Sequence, residues 1–362
     1  MNTTYIPKTA WLAITDICNN KCYWCYEQHN NPPAVKTISM TNVESIADFL
    51  HTIEIKKCVI IGGEPTLHPN FFNILSLLKK RNIKTSIVTN GRKFNNLENV
   101  KRIKELEIKR LVLSVQGWSN KTYKQFTQSK NGFNQMTKAI VWLQNFDIEF
   151  SLNFVLSKYS ENRTKEIVEF MKSHNIQRAS FNLATPAVSR NNIDGTFLLP
   201  LKKYRTHVMD MYYKCKENQI NPQFLLSIPH CIFSDEELIE LFHGQAIISG
   251  CHLLRGNGII FRTDGSIALC NHLLDFKIDK EHIEKEILRS KTKFIQFWNS
   301  QALSEIRKKA NCFRSEICID CPHWIMCGGG CLIHWAYHNP STVHYRKIDI
   351  KRKEVNNDGS TC

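Results

Sequence analysis

No apolar run in this 362-residue chain approaches the roughly 20 residues needed to cross a bilayer; even the best are interrupted within about eight. A membrane-spanning helix is therefore excluded. The N-terminus, MNTTYIPKTAW, lacks a cationic segment followed by an apolar core and lacks a cleavage site, so the chain is expected to be cytoplasmic. Acidic residues are also in short supply: 33 Asp and Glu stand against 48 Lys and Arg, a formal charge of +15. Such a surplus favours an acidic partner through long-range attraction. The basic residues lie in scattered pairs (Lys56 and Lys57, Lys101 and Arg102, Lys109 and Arg110), with one denser run, RKIDIKRK, near the C-terminus. No aromatic residues interleave them as in a nucleic-acid-binding stripe, so they read as a solvated surface.

Cysteine, by contrast, is abundant, with 14 residues. Without a secretory signal these thiols are not expected to form disulfides, and they fall into a leading and a trailing set, which points to metal or redox work. In the leading set, TDICNNKCYWCY, three residues and then two separate Cys18, Cys22 and Cys25. Thiolates this close can converge on one iron-sulfur cluster, and three ligands leave one iron of a cubane open for chemistry. A zinc knuckle is the competing reading, but zinc ribbons use paired C-x2-C, and no fourth Cys or His follows at ribbon spacing.

One strand further on, in CVIIGGEPTLHP, Gly62 and Gly63 end an apolar run abruptly. The glycines would let a ligand approach the backbone, and Glu64 offers a carboxylate to an ammonium group. His68 and Pro69 close this turn and read as structural. Taken together, Cys18-x3-Cys22-x2-Cys25 with Trp24 before the last cysteine, the GGE turn, and TNG at Thr89, Asn90 and Gly91 resemble the radical S-adenosylmethionine (SAM) superfamily. The resemblance implies that the open iron of a 4Fe-4S cluster chelates SAM and that an electron from the cluster cleaves the sulfonium to a 5'-deoxyadenosyl radical. It places Gly62, Gly63 and Glu64 at the methionine amino group. Ser114 in LVLSVQG and Asn153 in FSLNFVL are candidates for its carboxylate and the ribose, with a satisfied structural role as the alternative for each.

Apolar runs at about 11–17, 58–62, 84–89, 111–115, 149–155 and 178–183 predict strands, and helical patterns lie between them. Val43, Ile46, Phe49, Leu50 and Ile53 share one helical face, and Thr41 with Glu44 predicts a capping box. Six strand-helix repeats imply an α/β fold with a parallel sheet, here a partial (βα)6 radical SAM barrel, whose ligands sit at the carboxyl ends of the strands. The expected organisation is a core barrel over 1–215, linker helices over 216–250 and a cysteine-rich domain over 251–362. Within this span ATPAVSRNNIDGT predicts a loop whose Arg190 and Asp194 could contact substrate, residues 199–218 and 234–243 predict helices, and Cys58 and Cys215 read as packing residues.

The trailing set contains Cys318, Cys321, Cys327 and Cys331 in CIDCPHWIMCGGGC, preceded by Cys251 and by Gly265-x4-Cys270. This resembles the SPASM extension, which carries two auxiliary 4Fe-4S clusters. By that resemblance Cys251, Cys270 and Cys331 hold the first, and Cys318, Cys321, Cys327 and a later cysteine hold the second. Only Cys362, the final residue, follows Cys331. For the first cluster's fourth ligand Cys231 and Cys312 are candidates, and an open site is the alternative. A zinc ribbon is the competing reading of these cysteines.

SPASM-type relatives mostly modify peptides or proteins, which implies a peptide substrate, an acidic one given the charge, and a reducing partner such as flavodoxin or ferredoxin. A small-molecule dehydrogenation or rearrangement is the alternative; a non-catalytic zinc or nucleic-acid-binding protein is a third. Two departures narrow the expectation. Sulfatase-maturing relatives place an Asp base directly after the Gly-x4-Cys cysteine, whereas this chain has Asn271, which cannot accept that proton, and then His272, the candidate catalytic base. And only 17 residues precede Cys18, too few for a leader-peptide-binding domain, so a separate protein or the C-terminal region would read a leader.

Overall fold

The computed structural model describes residues 4–29, 35–189, 192–248, 250–273, 277–278, 283, 286–311, 318–319 and 321–338. Six strands, β1 (Thr9–Ala13), β2 (Lys57–Ile61), β3 (Lys84–Thr89), β4 (Arg110–Val115), β5 (Phe150–Leu156) and β6 (Arg178–Leu183), pair in sequence order, all parallel. The parallel order follows from the helix that returns the chain between successive strands. In each strand alternate residues are buried: Leu111, Leu113 and Val115 of β4 lie at 2% exposure or less, in one apolar core with helix residues such as Ile103 and Ile140. The other pleat face is left for the site.

The remaining strands are β7 (Ala187–Ser189), β8 (Asn192–Asp194), β9 (Asn221–Leu225), β10 (Ile247–Ile248), β11 (Gly258–Phe261), β12 (Ile267–Ala268) and β13 (Lys277–Ile278). All but β7 and β8 join β1–β6 in one eleven-stranded sheet, ordered β10-β9-β6-β5-β4-β3-β2-β1-β11-β12-β13. Several expectations are corrected. The first strand ends at Ala13, and residues 14–17 run on into the cysteine loop with backbone bonds to Ile61, Gly63 and Glu64 on one side and to Lys36 and Ile38 on the other. Residues 216–250 do not consist of linker helices: β9 and β10 extend the parallel sheet there, beside the helix Asp235–His243. The stretch around Asp194 is a hairpin of β7 and β8, with Asp194 accepting the Thr196 amide; Arg190 lies outside the described residues. The helix Met40–Thr52 is capped by Ser39, whose side chain accepts from Asn42 N, rather than by a Thr41–Glu44 box. Its apolar face is as expected, and the helix Leu201–Glu217 matches the 199–218 pattern.

His207, on that helix, is 5% exposed and its Nε2 meets Ser160 Oγ at 3.0 Å. Burial pushes its pKa from 6.5 down to about 4. A base depressed in the fold contributes stability that is complete above its unfolded pKa and is lost as pH falls through the folded one. We expect unfolding free energy to drop between pH 6.5 and 4, with about 3 kcal/mol of the drop absent from His207→Gln in urea titrations at a series of pH values. Equal pH profiles for the two proteins would refute this.

Candidate functional site

Beyond β1 the chain runs into a loop carrying Cys18, Cys22 and Cys25, followed by the short helix Tyr26–His29. Three neighbours hold this loop. Gly63 N donates to Thr15 O at 2.7 Å and Glu64 N to Ile17 O at 2.8 Å. From the helix Asn120–Thr127, Thr127 O and Phe126 O accept from Lys21 N and Tyr23 N. On the third side Arg92 donates from Nη1 to Asn19 O at 2.5 Å and to Asn20 Oδ1 at 2.9 Å, and from Nε to Gln135 Oε1. Asn90 Nδ2 reaches Asn19 Oδ1 at 2.7 Å, and Asn20 Nδ2 donates to the buried Tyr123 hydroxyl.

These contacts give the GGE turn a structural role of its own. A Cβ at Gly62 would stand 2.3 Å from Thr15 O, and one at Gly63 2.6 Å from Asp16 O. The glycines are thus demanded by the backbone of the cysteine loop itself, before any ligand is considered. Glu64 is 1% exposed. Its Oε1 accepts from Thr66 N, Thr66 Oγ1 and Thr89 Oγ1, and its Oε2 from Asn90 N at 2.6 Å. Burial raises its pKa, and these hydrogen bonds pull the other way. The side chain is first a rivet between the GGE and TNG turns, although a carboxylate has about four lone-pair sites and Oε2 retains room for an ammonium donor. His68 is structural, its ring nitrogens bonded to Ile38 O and Asn70 N.

Trp24 donates from Nε1 to Gln116 Oε1 at 2.9 Å and packs on Phe126 and Tyr159. Ser114 and Asn153 are direct cross-strand neighbours, and the same register line continues through Ser180 to Gln223 on β9. Residues in register share a face, so these four form a polar row on the sheet face turned away from the helices. Asn153 Oδ1 already accepts from Ser180 Oγ at 2.9 Å. Periodicity missed Ser180 and Gln223, the second because β9 was not foreseen. Arg92, directly after TNG, was legible only as another surface cation.

The thiols fit a cluster. Burial pushes Cys18 up to about 12, with the charges of Glu64 and Cys25 adding to the rise, and burial followed by Cys25 and Cys18 raises Cys22 well above its ordinary value. Both thiols are neutral on their own, and ionising them together calls for a cation beside them. No three His, Cys, Asp or Glu among the described residues could hold a single metal ion. A cubane is ligated differently, one thiolate per iron. Around the loop stands a buried ion triad: Arg262 Nη1 meets Glu27 Oε1 at 3.0 Å and Nη2 lies 3.7 Å from Asp16, while Thr263 Oγ1 donates to Asp16 Oδ2. Both flanks of the loop are thereby tied to the segment that leads to Cys270.

The trailing cysteines gather in two groups. Burial, then Cys331, then Cys251 among the charged groups push Cys270 up to about 12, burial with Cys251 pushes Cys331 up to about 11, and all three line one cavity. Burial raises the Cys327 thiol, with Cys321 adding to the rise, and its Sγ accepts from His230 N at 3.2 Å; Cys318 is buried nearby in sequence, and Cys321 N donates to Cys318 O. Cys58 and Cys215 are buried packing residues. Cys312 and Cys362 lie outside the described residues. A cavity of about 1250 Å³ is lined by Trp11 and Ile260 from β1 and β11, by Leu225 and Ser227 at the end of β9, and by Cys251, Cys270, Cys327, Cys331 and His272. Burial pushes His272 down to about 4.

Residues 12–171 match the family model of the Radical SAM superfamily. A probable GTP 3',8-cyclase of Thermococcus kodakarensis is 21% identical over 272 residues, 73% of this chain and 86% of that protein. The antilisterial bacteriocin subtilosin biosynthesis protein AlbA of Bacillus subtilis is 27% identical over 190 residues, 52% of this chain and 40% of AlbA. Among solved structures, Streptococcus suis SuiB bound to S-adenosylmethionine superposes with a TM-score of 0.68 at 18% identity, covering 92% of this chain and 75% of SuiB; SuiB bound to its precursor peptide SuiA gives 0.67. At that identity the likeness is one of fold. With the cysteine loop, the GGE and TNG turns and the parallel sheet in one place, residues 12–171 carry the match to the Radical SAM superfamily, and the chain is an iron-sulfur enzyme.

Proposed function

We propose that this enzyme cleaves SAM reductively and abstracts hydrogen from a peptide or protein substrate, modifying it by crosslinking, epimerisation or oxidation. Cys18, Cys22 and Cys25 would hold the 4Fe-4S cluster, which when loaded supplies the electron for sulfonium cleavage. Glu64 Oε2, Ser114 and Asn153 would orient SAM, and Trp24 would flank it. The C-terminal region, 251–362, would be a SPASM-type domain with two auxiliary clusters, one on Cys251, Cys270 and Cys331, the other on Cys318, Cys321, Cys327 and a further residue such as Cys362. A cytoplasmic flavodoxin or ferredoxin would supply electrons.

The observation that carries a peptide substrate is the lateral cavity. Its lining includes strand residues Trp11 and Ile260, the trailing cysteines, and Arg255, Arg307 and Lys308, but no carboxylate among the described residues. An extended, acidic chain suits it. A second reading has its own support: the cyclase relatives align over most of their length, and the same three cations would suit a nucleotide's phosphates. The protein should be reconstituted without oxygen and given SAM and dithionite with either GTP or a precursor peptide encoded beside its gene. Mass shift of the peptide with 5'-deoxyadenosine is the expected result; turnover of GTP alone would replace the peptide reading with the second one.

A further inference from the structure

We propose that His272 is the fourth protein ligand of the first auxiliary cluster, completing Cys251, Cys270 and Cys331 through its Nδ1. The inference rests on the reading that these three cysteines hold a 4Fe-4S cluster, which leaves one iron without a protein ligand. His272 lines the cavity together with all three of them. Its position is pinned twice: its backbone N donates to Cys270 Sγ at 3.4 Å, and its ring rests on Tyr26 with centroids 4.8 Å apart. Its Nδ1 is buried and has no hydrogen-bond partner. Buried ring nitrogens are ordinarily paired, so an orphan lining the same cavity as three thiols calls for a ligand, and neutral imidazole ligates iron in Rieske-type clusters.

Other candidates are placed elsewhere. Cys231 adjoins His230, whose amide bonds Cys327 Sγ, and so belongs beside the second set. His334 also has an unpaired Nδ1, but its Nε2 is already held by Ser227 Oγ at 3.1 Å and it does not line the cavity. As a ligand, His272 could not act as the free base that its place after Cys270 and Asn271 first implies.

The test uses the full chain with Cys18, Cys22 and Cys25 all changed to alanine, so that only auxiliary iron remains, reconstituted and reduced with dithionite. Pulsed electron paramagnetic resonance should show a nitrogen coupling of the size of a directly bound imidazole, converted to the ¹⁵N pattern by ¹⁵N-histidine. His272→Ala should lose that coupling, and His272→Cys should keep the iron content while shifting the g values. Bound iron without the coupling, or a coupling that survives in His272→Ala, overturns the proposal alone. Failure of the triple variant to bind any iron overturns the auxiliary-cluster reading and the proposal with it.

Discussion

Cys22→Ala is expected to abolish formation of 5'-deoxyadenosine from SAM while leaving the barrel folded. The site has three thiolates and no spare: among the described cysteines, Cys58 and Cys215 are packed in the core, and the others belong to the trailing groups or adjoin them. Two thiolates cannot retain a cubane against loss of iron, so the defect should be complete rather than graded. The loop tolerates the change because its position is set by backbone bonds from Gly63, Glu64, Lys21 and Tyr23 and by Arg92, none of which involves the Cys22 sulfur. Cys22 is half-buried, and its change to alanine removes a single sulfur atom. Iron should fall by about four per chain relative to wild type, with circular dichroism and the urea midpoint of the metal-free protein unchanged. Nucleoside release at the wild-type rate from a folded Cys22→Ala protein would remove these cysteines from the chemistry.

What the sequence made legible is what repeats locally. Strand alternation and the i, i+3, i+4 spacing of Val43, Ile46 and Leu50 depend on neighbours a few residues away, and the parallel order follows once strands and helices alternate. Motif spacing located the cysteine loop and the GGE and TNG turns for the same reason. β9 escaped because NPQFL has little apolar periodicity, and Pro222 is tolerated there since β10, the strand on its outer side, pairs only at Phe224 and Leu225. The glycines were legible as a demand for space, but not for whose backbone fills it: Thr15 and Asp16 are some 50 residues upstream. Longer separations were further out of reach. Arg262 meets Glu27 across 235 positions, and nothing in either residue's surroundings in the chain announces the other. Electrostatic rivets of this kind are set by topology, which brings β11 alongside β1.

The same logic makes Glu64 the most consequential single side chain outside the cysteines. Glu64→Ala is expected to lower stability by about 3 kcal/mol and to impair cluster retention, although Glu64 ligates no iron. Its carboxylate satisfies four donors on two separate turns. The Thr66 and Thr89 hydroxyls can rotate to other acceptors once it is gone. The Thr66 and Asn90 amides cannot rotate, and each buried amide left unpaired costs about 1–3 kcal/mol, partly offset because a buried carboxylate no longer needs to be desolvated. The loss then propagates: Asn90 would no longer be held to place its Nδ2 on Asn19, and the TNG turn that positions Arg92 against the cysteine loop would loosen. Glu64→Gln separates the two effects. Its amide oxygen can keep the three donors at Oε1, but its amide nitrogen would oppose Asn90 N. It should therefore recover about half of the lost stability while still releasing iron faster to a chelator than wild type does. Urea unfolding of the metal-free proteins and the rate of iron loss from the loaded ones measure the two separately. Equal iron retention in all three proteins would mean that the Asn90 and Arg92 contacts hold the loop without the rivet, and that Glu64 matters to the barrel alone.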